Sequence, residues 1–115
     1  MVIVGSPELL FRAVGNVLDN ALKFSPPNGQ VVVTADAHAG SAVLTVRDEG
    51  AGMTESEKSH AFDRFWRSAS ALATPGHGLG LPLVRQICAA HAGRISITSA
   101  AGAGTSVTMT LPLAR

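Results

Sequence analysis

The sequence predicts one α/β domain in which a mixed β-sheet is covered on one face by helices. Three observations lead there. Two long stretches, residues 7–24 and 79–92, carry apolar residues at helical spacing. Four β-rich runs come in two pairs, at 30–37 and 41–48 and again at 94–99 and 105–113, one pair following each long helix. The chain has 115 residues, 46% of them apolar, and neither a repeat nor a linker divides it. Residues 1–115 are therefore expected to form one domain around one core.

The same totals exclude several roles. A net charge of +1, with no cluster of Lys or Arg, leaves no electrostatic footprint for nucleic acid. The single cysteine, Cys88, has no internal partner and falls in an apolar helix, where a buried free thiol is expected. No apolar run approaches membrane-spanning length, and the first residues lack the basic region and long apolar core of a signal peptide. The chain is expected to be soluble and cytoplasmic.

Taken in order, Val2, Ile3 and Val4 read as the tail of a strand. Ser6, Pro7 and Glu8 supply a capping hydroxyl, a proline in the first turn and an acid at the positive helix end, so a helix should run from 7 to 24. Its buried stripe is Leu10, Ala13, Val14, Val17, Leu18 and Ala21. Residues 25–29, Ser-Pro-Pro-Asn-Gly, stop it. The strands at 30–37 and 41–48 make a hairpin through His38, Ala39 and Gly40. In the second, Ala42, Leu44 and Val46 face the core, and period-two alternation carries Asp48 to the edge of that same face. Thr54 and Glu57 can cap a short helix reaching Trp66, and residues 68–75 are expected as loop. The second long helix, 79–92, tolerates Pro82 in its first turn and should stop at Gly93.

Several residues point to chemistry. Gly76, Gly78 and Gly80 open the second long helix at alternate positions. A helix start offers unpaired N–H groups and a positive dipole end, and glycines let a phosphate come close, although such turns also serve simple chain reversal. Asn16, Asn20 and Lys23 form one stripe of the first helix, opposite much of the apolar stripe. They are either a solvated face or a ligand face. Asparagine is about half a kcal/mol worse than alanine in a helix, an amide oxygen suits Mg²⁺, and a lysine one turn on can reach a phosphate. Asp48 beside Gly50 and Gly52 is either an Asx turn or an acceptor for an amino group such as adenine N6, with the glycines admitting a flat base. Phe62 and Phe65 read as core, whereas Arg64 and Arg67 carry forks that match phosphate oxygens.

Together these stretches resemble sensor histidine kinases. Residues 16–24 (Asn-Val-Leu-Asp-Asn-Ala-Leu-Lys-Phe) resemble their N box, 48–53 (Asp-Glu-Gly-Ala-Gly-Met) their G1 box, and 62–67 (Phe-Asp-Arg-Phe-Trp-Arg) their F box. The glycine run at 76–81 is similar to their G2 box, and Gly102-Ala103-Gly104-Thr105 with the strand ending in Leu111-Pro112 to their last motif. The order is the family's, and the likeness covers nearly the whole chain.

The resemblance implies a two-layer α/β sandwich of the Bergerat type, shared with gyrase, Hsp90 and MutL ATPases. It implies ATP and Mg²⁺ as ligands. Asn20 would ligate Mg²⁺, Asn16 would support the metal–phosphate region, Lys23 would contact phosphates, and Phe24 would pack near the base. Asp48 would hold the adenine amino group with help from Thr105, and Gly50 and Gly52 would line the base pocket. Gly76, Gly78, Leu79 and Gly80 would meet phosphates and hinge a lid over residues 54–75, while Arg64 or Arg67 would act on the γ-phosphate or on docking.

One departure stands out. None of the four histidines, His38, His60, His77 and His91, is followed by the acid that typically follows the family's phosphoacceptor. His77 stands where the family often has a small or hydroxyl residue. The expected function is thus to bind Mg·ATP and transfer the γ-phosphoryl group to a histidine on a separate dimerisation or phosphotransfer domain, serving a response regulator indirectly, with the chain itself a monomer. Asn16 occupies the position where hydrolysing relatives carry a glutamate base. The alternatives are a hydrolytic ATPase, an anti-sigma-type serine kinase, or an interaction module without nucleotide.

Overall fold

The computed structural model describes residues 2–62, 80–100 and 102–114. Helix α1 spans Pro7–Phe24, strands β1 and β2 span Val32–His38 and Ser41–Asp48, and a short helix α2 spans Glu55–Ser59. Helix α3 spans Gly80–Ala90, followed by β3, Arg94–Ser99, and β4, Thr105–Pro112. The four strands form one sheet in the order β1-β2-β4-β3, and each of its three pairings is antiparallel.

Capping fixes where the chain turns helical. Ser6 is the N-cap of α1, accepting the Leu9 N–H on its hydroxyl at 3.2 Å, with Pro7 in the first turn. Thr54 and Glu57 form a capping box at α2, each side chain accepting the other's backbone N–H. Helix α1 buries Ala13, Val17 and Ala21, with Leu10, Val14 and Leu18 partly buried beside them. These pack against Val84, Ile87 and Cys88 of α3 and against Val46, Val107, Met109 and Leu111 of the sheet. Both helices lie on the face of β2, β4 and β3 that carries these side chains, giving the two-layer α/β sandwich. Strand β1 is exposed along its length, at an edge of the sheet.

Several boundaries differ from the sequence expectation, the last strand ending at Pro112 rather than at residue 113 among them. Val2, Ile3 and Val4 form no strand; the Val2 carbonyl instead accepts the Ala114 N–H at 2.6 Å. The first hairpin loop is only Ala39-Gly40, because His38 pairs with Ser41. Both loop residues have positive φ (51° and 80°), the two-residue turn that matches strand twist. Strand β1 correspondingly starts at Val32 rather than at residue 30. Helix α2 ends at Ser59, with His60 as C-cap, short of the expected residue 66. Helix α3 ends at Ala90, and the left-handed residue that stops it is Ala92 (φ 59°), not Gly93. There the Gly93 N–H reaches the Cys88 carbonyl at 2.8 Å and the Ala92 N–H the Ala89 carbonyl at 3.1 Å, the paired bonds of a Schellman turn. Gly93 is required for a different reason: a Cβ there would collide with the Thr110 carbonyl of β4.

The lead-in to α1 is tied to the end of α3 by His91. Its Nε2 lies 3.0 Å from the Ser6 nitrogen and its Nδ1 lies 2.8 Å from the Ile87 carbonyl oxygen. The Ser6 N–H can only donate and the carbonyl can only accept, so the ring is the neutral tautomer with its hydrogen on Nδ1.

Candidate functional site

The site is built at the end of the sheet where β2 leaves it. Register places Asp48 of β2 opposite Thr105 of β4, and Thr105 opposite Ser99 of β3. Directly paired residues project to the same face, so three oxygen-bearing side chains form a row across the sheet on its helix-covered side. Asp48 is 7% exposed and Thr105 8%, the only buried polar residues among those described.

Asp48 forms the Asx turn of the first sequence reading. Its Oδ1 accepts the Gly50 N–H at 2.8 Å, an Asx turn that sends the chain away from the sheet. The same carboxylate is nevertheless buried, and among the described residues Gly50 is its only hydrogen-bond partner. A carboxylate has lone pairs enough for further donors beyond that one bond.

The segment after Asp48 is fixed against the β3–β4 connection. Gly52 has φ 77°, and a Cβ there would collide with the Ala100 carbonyl; Gly104 has φ 79°, and a Cβ there would collide with the Asp48 carbonyl. These two close approaches account for glycine at both positions through backbone packing alone. The Gly102 N–H also donates to the Ala51 carbonyl. Ser99 joins the two segments: its Oγ lies 2.8 Å from the Met53 nitrogen, 2.8 Å from the Gly104 carbonyl oxygen and 2.9 Å from Thr105 Oγ1. Sequence reasoning missed Ser99. The alternation that placed Asp48 applies equally to Ile95, Ile97 and Ser99, the inward positions of β3, and would have found it.

On α1, Asn16 and Asn20 are half-buried. They border the apolar stripe rather than stand opposite it, a correction that follows from 100° per residue, which sets Asn20 only about 60° from Val17. Lys23 lies 3.4 Å from Asp19 Oδ2, one turn back, with the acid toward the helix N-terminus as the dipole favours. Gly80 opens α3, and a Cβ there would meet no atom of the described residues within 4 Å. Phe62 is partly buried against the core as expected, and the Arg85 guanidinium of α3 lies 5.3 Å from its ring centre. Arg64, Phe65, Arg67, Gly76, His77, Gly78 and Leu79, and the side chain of Phe24, lie outside the described residues.

The groups suit the ligands expected of them. An amide oxygen is a hard donor of the kind Mg²⁺ takes alongside phosphate oxygens and water. No cluster of three or more His, Cys, Asp or Glu able to hold a metal occurs among the described residues. Behind the site, burial pushes the Cys88 thiol above its ordinary value of 9.0. No helix among the described residues is long and apolar enough to cross a membrane.

Comparison with known proteins agrees with this fold. A family model described as "Histidine kinase-, DNA gyrase B-, and HSP90-like ATPase" matches residues 5–115. The chain is 44% identical over 115 residues to the signal transduction histidine-protein kinase/phosphatase MprB of Mycobacterium tuberculosis (strain ATCC 25618 / H37Rv), covering 96% of this chain but 23% of that protein. It thus spans less than a quarter of that relative's length. Among solved structures it is similar to a mycobacterial sensor histidine kinase MprB, with TM-score 0.87 and 42% identity over 96% of this chain and 76% of that one. The catalytic domain of histidine kinase ThkA, at 22% identity, shares the fold with TM-score 0.82, over 96% of this chain and 70% of that one.

Proposed function

The chain belongs to the family of histidine kinase-, DNA gyrase B- and HSP90-like ATPases, and on that premise we propose that it binds Mg·ATP and donates the γ-phosphoryl group to a histidine outside these residues, in a two-component signalling system. The observation that carries this reading is the buried Asp48 carboxylate, open to an amino group at the sheet margin.

Each residue has a part in it. Asp48 accepts the adenine amino group, Thr105 stands beside it, and Gly50 supplies the N–H that orients the carboxylate. Asn20 holds Mg²⁺ and Asn16 steadies the metal–phosphate region. The metal, when bound, neutralises phosphate charge. Gly80, with Gly76, Gly78 and Leu79, brings the start of α3 to the phosphates, where the N–H groups and dipole favour negative charge by about 0.3–1 kcal/mol per contact. Lys23 and Arg64 or Arg67 add positive charge. Transfer breaks the bond between the γ-phosphorus and the ADP oxygen and forms one to an imidazole nitrogen of the partner. That nitrogen is itself a nucleophile, so the chain's task is positioning and charge stabilisation, and it needs no base at Asn16.

The direct test mixes the chain with γ-labelled ATP, Mg²⁺ and an acceptor domain carrying the phosphorylatable histidine. Acid-labile label on the acceptor is expected, together with slow phosphate release by the chain alone. Acid-stable label would favour a serine kinase, and rapid release without an acceptor a hydrolytic ATPase.

A further inference from the structure

Ser99 Oγ has three neighbours and a fixed number of hydrogens to share among them. The Met53 N–H can only donate to it and the Gly104 carbonyl can only accept from it. A serine hydroxyl carries one hydrogen and two lone pairs. Were that hydrogen given to Thr105, the Ser99 and Gly104 oxygens would face each other at 2.8 Å with nothing between them. One arrangement places a hydrogen in every contact: Ser99 donates to Gly104, and accepts from both Met53 and Thr105. The Thr105 hydroxyl has then spent its hydrogen and offers only lone pairs.

The consequence lies one strand over. Thr105 is the direct cross-strand partner of Asp48, whose carboxylate oxygens also accept. Two neighbouring buried groups therefore present acceptors alone. We propose that Ser99 is a positioning residue for base selectivity, holding the Thr105 hydroxyl as an acceptor beside Asp48 so that the site takes a purine with an amino group at position 6 and rejects one with a carbonyl there. This deepens the nucleotide reading above and rests on it. A 6-carbonyl would bring lone pairs against lone pairs in a buried place, where an unmatched polar group is costly. Without Ser99, Thr105 regains a hydrogen to give, and only Asp48 still turns lone pairs toward a carbonyl.

The test compares Mg·ATP with Mg·inosine triphosphate, which carries a carbonyl where adenine has its amino group, by calorimetric titration of the chain. The native chain should prefer ATP. Ser99→Ala should narrow the ATP-to-inosine ratio by roughly tenfold, the size of one mismatched buried polar contact, and Ser99→Thr, which keeps the hydroxyl, should restore it. Thr105→Val removes the lone pairs themselves and should also narrow the ratio, which provides the reading if Ser99→Ala does not fold. Equal weakening of both nucleotides in Ser99→Ala, or an unchanged ratio in Thr105→Val, would overturn the assignment while leaving nucleotide binding intact. Equal native affinity for the two would do the same. A native chain that binds neither would overturn the nucleotide reading, and this inference with it.

Discussion

A carboxylate that is 7% exposed, with one backbone N–H as its partner among the described residues, gives up most of its hydration for a single bond. The fold tolerates Asp48 because the Gly50 turn needs that bond, and the remaining acceptor capacity is what a ligand can use. Asp48→Asn keeps an oxygen for Gly50 but removes the charge and presents hydrogens where an amino group would dock. Affinity for Mg·ATP should fall by at least about tenfold with the cooperative melt retained, as a thermal scan alongside a titration would show. Cys88 offers a second residue-scale test. Its thiol is raised by burial, so the folded state holds its proton above pH 9.0 while the unfolded chain releases it. The contribution is fully present below that pH and is lost as pH climbs beyond it. Stability should therefore fall on the alkaline side, and Cys88→Ala should flatten that slope in melts taken between pH 8 and about 10.5. The sequence already showed Cys88 as buried and Asp48 as inward-facing, because each depends only on local periodicity.

At the scale of elements, helix starts were legible because a cap is a local chemical fact: Ser6 and Thr54 cap as their hydroxyls and spacing require. Helix ends were less so. Glycine marked the end of α3 one residue late, since Ala92 takes the left-handed position and Gly93 is small for the sake of β4. Ala92→Gly should accordingly stabilise the fold by about 1 kcal/mol, read as a raised melting temperature, whereas Gly93→Ala should lower it. Gly80 behaves differently. With no atom of the described residues within 4 Å of a Cβ there, Gly80→Ala should leave stability unchanged or raise it by up to about 1 kcal/mol, yet weaken Mg·ATP binding if the start of α3 meets phosphate. The opposite signs of the two readouts make this substitution informative.

For the molecule as a whole, α1 and α3 seal one face of β2, β4 and β3, and the row Asp48–Thr105–Ser99 sits at the margin of that seal. The core is the foundation of the site: Met109, fully buried in the middle of β4, should cost about 2–5 kcal/mol when cut to alanine. The two-layer arrangement was legible from element order and apolar spacing. The site's assembly was legible only through the family resemblance, because bringing residue 48 opposite 105, and 105 opposite 99, is a matter of strand register, which no local pattern encodes. The inward position of Ser99 was within reach of strand alternation, whereas its contacts to Met53 and Thr105 depend on that register. The most direct measurement is an amide NMR titration of the chain with Mg·ATP. Saturable shifts should centre on Gly50, Met53, Ser99, Gly104 and Thr105 and on the first turn of α3, and should vanish in Asp48→Asn. Absence of saturation, or shifts gathered instead on the exposed β1 hairpin, would contradict a nucleotide site at this end of the sheet.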